Sequence, residues 1–317
     1  MSHLKLLISD VAWPDTTIEQ QLCDEAKVEL VVATDSSEES LKRLAIDCDG
    51  IITCWAEITA AVIAASDGKC KVVSRMGIGL DNIDVTYCTG QGIPVTNVPD
   101  YCLQEVAEHT IACIYSLGRH INTYNLDSQA KKYEREVTPP LRRLKGQTIG
   151  IIGLGNIGKR VVTLANALGF RVLGSRQDMT KTVAGVELVP LAELISQSDF
   201  VTLHLPLTDT NHHMISTEQF QQMKSTAYLV NTARGGLVDH DALAAALEAG
   251  ELAGAALDVQ DPEPPNLSIA PYNDPRVIVT PHAAFISVES LIELRQSSVR
   301  NALDILLNGQ SDKIVNL

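Results

Sequence analysis

Several signatures are missing from this 317-residue chain, and each absence narrows what it does. Positive charge is not in excess: 25 Lys and Arg stand against 39 Asp and Glu, a formal net charge of −14. A nucleic-acid binder needs a basic footprint and an anionic membrane surface needs a polybasic patch, so neither partner is expected. No apolar run approaches the ~20 residues of a membrane span. The start, Met1 to Pro14, carries the short strand pattern Leu4-Lys5-Leu6-Leu7-Ile8-Ser9 in place of a signal peptide, which reads as cytosolic. Paired cysteines are missing too. Cys23, Cys48, Cys54, Cys70, Cys88, Cys102 and Cys113 are odd in number and form no C-x-x-C, so they read as small buried apolar groups in a reducing compartment. The eight His show neither H-x-x-x-H nor H-E-x-x-H spacing. His212 and His213 are adjacent and would face apart on a strand, so no metal is expected. There is no low-complexity segment and no fixed-period repeat.

What remains is an ordinary globular composition, 45% hydrophobic and 20% charged. Its length suggests roughly two domains at about 150 residues each. Short β-branched runs alternate with amphipathic stretches throughout, the mark of βαβ units and parallel sheets. The first hundred residues offer strands at Leu4–Ser9, Glu29–Ala33, Gly50–Cys54, Lys71–Arg75 and Pro94–Thr96. Helical patterns lie between them near Thr17–Ala26, Ser37–Ile46 and Thr59–Ser66. A second series reads Thr148–Ile152, Arg171–Gly174, Asp199–Leu203, Ala227–Asn231, Ala253–Asp258 and Val277–Thr280, six strands that would complete a doubly wound sheet. Two long helices flank that series. One repeats apolar residues from Leu103 through Leu117 to Ile121, and the other runs from Leu291 to Leu306 and stops at Asn308-Gly309. They would carry the chain between domains and make the first domain discontinuous.

Gly153-Leu154-Gly155-Asn156-Ile157-Gly158 follows an apolar strand and opens a helix, the context that a pyrophosphate site requires. The first Gly would make the tight turn, the second would let phosphates approach the backbone, and the third would pack helix on strand. An acid normally ends the next strand and binds the ribose hydroxyls. Here Ser175 and Arg176 stand in that region, with Asp178 just beyond. Arg176 reads either as a solvated surface charge or as a guanidinium for a 2′-phosphate, which favours NADP(H) and leaves NAD(H) as the alternative cofactor. The later strands end in His204-Leu205-Pro206, Thr232-Ala233-Arg234-Gly235-Gly236, Asp258 and Pro281-His282. Each has a dull explanation alone, but several independent strand ends with chemically capable groups suit a ligand crevice. Glu263 sits on the Pro-stiffened stretch Asp261-Pro262-Glu263-Pro264-Pro265, where a carboxylate would orient an imidazole.

With these segments in place, the chain resembles the D-isomer-specific 2-hydroxyacid dehydrogenases over essentially its full length. The resemblance rests on Arg75-Met76-Gly77-Ile78-Gly79-Leu80-Asp81-Asn82-Ile83-Asp84, the Gly153–Gly158 loop and Asn231-Thr232-Ala233-Arg234-Gly235-Gly236-Leu237-Val238-Asp239. It continues through Ala256-Leu257-Asp258-Val259, Glu263-Pro264 and Thr280-Pro281-His282-Ala283-Ala284. Within the family the chain is similar to phosphoglycerate, glyoxylate and hydroxypyruvate reductases, and also to C-terminal-binding-protein corepressors. The resemblance implies an α/β fold of two doubly wound parallel-sheet domains. A Rossmann dinucleotide-binding domain, residues 101–286, would be inserted in a flavodoxin-like substrate domain, residues 1–100 plus 287–317.

It further implies an NAD(P)-dependent interconversion of a 2-keto acid and a D-2-hydroxy acid, with a corepressor-like dinucleotide sensor as the rival reading. His282 would be the acid/base, Glu263 its partner and Arg234 the substrate clamp. The N–H groups of Gly77, Ile78 and Gly79 would receive the substrate carboxylate. Cofactor contacts would come from Gly153, Gly155, Asn156, Ile157, Gly158, Ser175, Arg176, His204, Pro206, Thr210, Thr232, Ala233, Asp258, His282 and Ala284. Asp258 and Ala233 would face the nicotinamide carboxamide. A homodimer is also implied, while the end of the sequence soon after the returning helix reads as a departure from the long phosphoglycerate dehydrogenases, without their regulatory extension. The pocket for the substrate side chain would lie near Cys54-Trp55-Ala56, Met76–Ile78 and Phe285, although Trp55 and Phe285 read equally as core. Sixteen acids against seven bases in the first hundred residues disfavour a phosphorylated substrate.

Overall fold

The computed structural model describes residues 4–317, so Met1–His3 of the chain start lie outside it. The chain forms two compact units. The first takes the described residues up to Tyr101 together with Ser287–Leu317, and the second takes Cys102–Ile286.

In the first unit the elements run β1 Lys5–Ile8, α1 Thr17–Ala26, β2 Glu29–Val32, α2 Glu38–Ala45, β3 Gly50–Thr53, α3 Ala60–Ala64, β4 Val73–Arg75, α4 Val85–Gly90 and β5 Val95–Thr96. All pairings between these strands are parallel, in the order β2-β1-β3-β4-β5. This is the flavodoxin-like winding. Leu6, Leu7, Ile8, Ile51 and Ile52 are fully buried, as expected where helices cover both faces of a parallel sheet.

A C-terminal helix, Val288–Asn308, returns to this unit and packs on β3, β4, β5 and α1. Ser287 caps its first turn and Gly309 closes it in the left-handed conformation. The apolar stripe accounts for Leu294, Ala302, Ile305 and Leu306, but the stripe hides a polar lock. Arg295 donates to both carboxylate oxygens of the buried Glu19 on α1, at 2.7 and 2.6 Å, while Trp13 adds an indole N–H at 3.2 Å. Removing one partner of so buried a pair costs about 3–5 kcal/mol.

The second unit begins with α5 Leu103–Gly118 and α6 Ile121–Gln129. It continues as β6 Thr148–Ile152, α7 Asn156–Ala167, β7 Arg171–Ser175, β8 Glu187–Leu188, α8 Leu191–Gln197, β9 Phe200–Leu203, α9 Thr217–Gln222, β10 Tyr228–Asn231, α10 His240–Ala249, β11 Gly254–Leu257 and β12 Val277–Val279. The parallel order β12-β11-β10-β9-β6-β7-β8 is a Rossmann sheet carrying one extra strand.

Three expectations need correction. The sheet has seven strands, because the two-residue β8 pairs with β7 and is too short to leave a periodic signal. The helix expected from Leu103 to Ile121 is also broken. It ends at Gly118, which lies against Leu144 and Phe200, and His120 turns left-handed (φ +53°) with its ring toward Tyr228 Oη at 3.3 Å. Nor is α5 a bridge outside both units, since it packs on α7 and β10 of the second. All seven cysteines are free and buried. Burial raises the thiols of Cys23, Cys54, Cys70 and Cys113 to about 12, which keeps them protonated and unreactive. Among the described residues, no helix is long and apolar enough to cross a membrane.

Candidate active site

The strand order of the second unit reverses between β6 and β9, and the loop after β6 is Gly153–Gly158. Gly153 has φ +96°, and a Cβ there would stand 2.4 Å from the His204 carbonyl oxygen at the end of β9. Gly158 is closed just as firmly, because its Cβ would fall 2.1 Å from Gly153 O. Gly155 faces open space and caps α7, so the first-turn N–H groups of Asn156, Ile157 and Gly158 point past a bare backbone. A pyrophosphate suits this cradle, because unpaired N–H groups and the helix dipole both favour an anion there.

Other expected cofactor contacts are arranged less simply. The His204 ring pairs with Thr202 Oγ1 at 3.0 Å, and burial pushes it down to about 3, so it is a neutral group turned back to its own strand. Thr232 spends its hydroxyl on Thr110 of α5 at 3.0 Å. Pro206 is exposed, and its carbonyl accepts from Asn211 at 2.8 Å, while Thr210 pairs with Thr208 at 3.1 Å. Ser175 ends β7, and its carbonyl accepts the Gly153 N–H at 3.1 Å. Beyond it, the Arg176 guanidinium reaches the Lys181 carbonyl at 3.5 Å, its one hydrogen-bond partner among the described residues. Asp178 is occupied locally by Thr180, whose N–H and hydroxyl hold its carboxyl below the usual range, and it does not turn back toward β7.

At the other strand ends the groups converge. Asn231, closing β10, accepts from Ala233 N–H at 3.0 Å and donates to Arg234 O at 2.8 Å, which shapes the turn that presents Arg234. Gly235 lets this turn lie on the next loop, for a Cβ there would be 2.0 Å from Gln260 O. Gln260 in turn donates its N–H to Glu263 Oε1 at 2.8 Å, and its side-chain amide bridges Leu257 O and Thr280 O. Glu263 Oε2 lies 2.9 Å from His282 Nδ1. Partial burial opposes ionisation of Glu263. The His282 hydrogen bond and charge, the Gln260 N–H and the Arg234 guanidinium outweigh that and hold its carboxyl below the usual glutamate range. A carboxylate at Nδ1 fixes the tautomer, so that Nε2 is the ring nitrogen that would exchange a proton with a substrate.

Behind this pair stands Asp258, 2% exposed. Its carboxylate accepts from the N–H groups of Ala283 (2.9 Å) and Ala284 (3.0 Å) and from Thr280 Oγ1 (2.6 Å), and its carbonyl accepts from His282 N–H at 2.7 Å. His282 has φ +50°, a conformation costing a non-glycine roughly 1–2 kcal/mol, and these four bonds hold it there. Because the Thr280 proton goes to Asp258, His109 on α5 must donate from Nε2 to Thr280 Oγ1, at 3.1 Å. Sequence reading missed His109, Thr280 and Gln260. Only the polar character of Thr280, two residues before His282, gave any signal for them. Asp258, expected to face the nicotinamide, has both carboxylate oxygens engaged with the His282 loop.

In the first unit, the loop after β4 is held through its carbonyls. Val98 N–H donates to Gly77 O at 3.0 Å and the Asn97 amide to Ile78 O at 2.8 Å. Among the described residues, none accepts from the N–H groups of Gly77, Ile78 or Gly79. A Cβ on Gly77, which has φ +156°, would sit 2.7 Å from the Arg75 guanidinium and would displace it. That guanidinium also lies over the exposed Trp55 ring.

Comparison with known proteins decides the family. The model of the D-isomer specific 2-hydroxyacid dehydrogenase NAD binding domain matches residues 111–284, more than half of the chain. The chain belongs to the D-isomer-specific 2-hydroxyacid dehydrogenase family. Members are nicotinamide-dependent oxidoreductases acting between 2-keto acids and D-2-hydroxy acids, and that is the class of reaction here. The chain is 36% identical to the D-3-phosphoglycerate dehydrogenase of Methanocaldococcus jannaschii over 99% of its own length, but spans only 60% of that protein. It is 32% identical to a glyoxylate reductase of Thermofilum pendens, covering 96% of this chain and 91% of that one. Among solved structures, an acyclic imino acid reductase in complex with NADPH and D-Arg matches with a TM-score of 0.85. The two are 26% identical over 98% of this chain and 100% of that one.

Proposed function

We propose that this dehydrogenase reduces a small, unphosphorylated 2-keto acid to the D-2-hydroxy acid, and runs the reverse reaction, with NADPH preferred over NADH. The observation that carries the reading is the 2.9 Å pair of His282 Nδ1 and Glu263, set on a loop anchored by Asp258 and bordered by the Arg234 turn. When bound, the nicotinamide cofactor supplies or accepts the hydride. His282 Nε2 gives the keto oxygen its proton in reduction and takes it back in oxidation, while Glu263 steadies the imidazolium. The Arg234 guanidinium binds the carboxylate and polarises the ketone through paired N–H donors. In the first unit, Gly77, Ile78 and Gly79 offer N–H groups suited to an anion such as a carboxylate. The α7 first turn receives the pyrophosphate, and Ser175 with Arg176 takes the ribose end.

The unit Cys102–Ile286 thus serves as the dinucleotide-binding domain, beginning one residue later than the sequence pattern suggests, and the described residues up to Tyr101 with Ser287–Leu317 serve as the substrate domain. The acidic balance and the buried, protonated thiols suit a cytosolic enzyme with a small-molecule substrate and no nucleic-acid partner. The family resemblance supports a homodimer, which light scattering would test. The test of function is a turnover panel of glyoxylate, hydroxypyruvate, pyruvate and phenylpyruvate with each cofactor. Turnover of at least one with NADPH is expected. Tight cofactor binding with no turnover on the whole panel would favour a dinucleotide sensor.

A further inference from the structure

Two histidines and an aspartate collect at a place that the reaction chemistry does not use. After β9 the chain turns through Asn211 into His212 and His213, both exposed. His213 is left-handed, with φ +52°. The turn stacks its ring on that of His212, with centroids 3.9 Å apart and planes 26° from parallel. Neighbouring histidines face apart only on a strand, so the sequence argument against joint ligation does not apply to this turn.

The turn is well held. His213 N–H donates to Gly236 O at 2.7 Å and Met214 N–H to Asn211 O at 3.1 Å. The Asn211 side chain accepts from Thr208 N–H at 2.7 Å and donates to Pro206 O at 2.8 Å. The third member is the exposed Asp261, at the head of the Glu263 loop. One ligand atom from each of His212, His213 and Asp261 lies within 4.8 Å of the others. Gly236 keeps the space between them clear, since a Cβ there would stand 3.3 Å from both Asp261 Oδ2 and His212 Cδ2. Next to the cluster, the buried His240 pairs Nδ1 with Tyr272 Oη at 2.6 Å, and its Nε2 has no hydrogen-bond partner among the described residues.

We propose that His212, His213 and Asp261 form a binding site for a divalent transition-metal ion. Two imidazoles and one carboxylate suit Zn²⁺, Co²⁺, Ni²⁺ or Cu²⁺ and disfavour Mg²⁺ and Ca²⁺, which want oxygen ligands. Zinc bonds of about 2.0–2.2 Å place tetrahedral ligand atoms roughly 3.4 Å apart. The ligand atoms lie within 4.8 Å of one another, so the three exposed side chains must draw together, and the stacked rings must turn their nitrogens inward, to reach that spacing. Water completes the fourth position, as in other zinc sites with three protein ligands. Asp261 is two residues before Glu263, and the Gly236 carbonyl that holds His213 is two residues after Arg234. An ion here therefore ties the segment after β9 to the loop that carries Glu263, and stabilises the folded state to which it binds.

The test needs no turnover, so it fails or succeeds separately from the proposed reaction. Zn²⁺ is titrated calorimetrically into the full chain without an affinity tag, and Co²⁺ is substituted to read the ligand field. One ion per chain is expected, bound more weakly at acidic pH because the imidazoles must be deprotonated. His212→Asn, His213→Asn and Asp261→Asn should each weaken binding on the order of tenfold or more, since even indirect partners of a metal ligand contribute that much. His282→Gln removes the other accessible imidazole–carboxylate pair and should leave Zn²⁺ affinity unchanged. The proposal is overturned by the absence of saturable Zn²⁺ binding, or by unchanged affinity in the two His212 and His213 variants. Loss of the ion in His282→Gln alone also overturns it, by assigning the ion to the His282–Glu263 pair.

Discussion

Two loops of the dinucleotide-binding unit are held in opposite ways. The His282 loop is over-determined: Asp258, Thr280, Gln260, Glu263 and His109 satisfy one another across α5 and the segments after β11 and β12, and the His282 imidazole has little freedom left. The Arg176–Lys181 loop beyond β7 is the reverse. Its one hydrogen bond from Arg176 spans 3.5 Å, and its acid Asp178 pairs with residues two and three positions away. A network that shares every proton resists change, because removing one member strands buried groups elsewhere. A loop with local, exposed partners can exchange its side chains at small cost to stability. Under the proposed roles, the contrast would put the chemistry in the rigid loop and cofactor choice in the adaptable one.

The largest effect should come from the end of the rigid network. His282→Gln should lower kcat by ~10²–10⁴-fold with little change in melting temperature, because the glutamine keeps the loop's backbone bonds but carries no titratable proton. Near-normal turnover would remove His282 from the chemistry. In the native enzyme the two directions should differ in sign. Reduction needs His282 protonated, so kcat/KM falls as pH rises, while oxidation needs it neutral and gains over the same range. On the acid side Glu263 is depressed below its ordinary 4.5, so the pair should stay intact until pH drops past that value. Matched pH profiles of the forward and reverse rates check both statements, and parallel slopes would contradict them.

Arg234→Lys should come next, at roughly 10- to 100-fold, the worth of a charge-assisted hydrogen bond of about 1.5–3 kcal/mol. Both KM and kcat should suffer, since a lysine ammonium cannot offer paired parallel donors. An unchanged KM for the keto acid would make Arg234 a structural residue. Thr280→Val then probes the network away from substrate. It strips Asp258 of one donor and leaves the His109 N–H without its acceptor, which should cost about 1–3 kcal/mol in urea unfolding. Turnover should fall by less than in His282→Gln, with the pH profile keeping its shape. Full stability in Thr280→Val would show that the loop is less tightly determined than its bond lengths suggest.

The same contrast explains what was legible in the amino-acid sequence. The Gly153–Gly158 cradle could be read because each glycine answers a local demand: a left-handed turn, an open face, a close helix. Arg234, Glu263 and His282 stood out because Gly or Pro beside each marks a presented side chain. The supporting partners could not be read, since His109 meets Thr280 across 171 residues and Arg295 meets Glu19 across 276. Each resembles an ordinary polar residue on an amphipathic helix until the fold brings its partner to it. The break at His120 escaped for a related reason, as the apolar spacing runs smoothly through Gly118 and the packing that stops the helix comes from Phe200. Adjacent histidines misled in the opposite direction, because a strand was assumed where the chain makes a turn.

The smallest effect, and the sharpest test of the comparison, lies in the adaptable loop. An acid at the end of β7 would accept both ribose hydroxyls and repel a 2′-phosphate, which is how NAD selectivity ordinarily arises. Here Ser175 and Arg176 hold that region, and Asp178 is turned to Thr180 and Lys181. The weak 3.5 Å bond to Lys181 O leaves the Arg176 guanidinium able to leave its perch for a phosphate at little cost. The native enzyme should therefore show a higher kcat/KM with NADPH than with NADH on one keto acid, by about tenfold or ~1.4 kcal/mol. Arg176→Asp should erase or reverse that ratio while leaving melting temperature and the NADH rate nearly unchanged, since no buried partner depends on the side chain. A native preference for NADH of similar size would mean that Arg176 stays in solvent and that the ribose is read elsewhere. A loss of stability in Arg176→Asp would mean instead that this loop is as tightly bound into the fold as the one that carries His282.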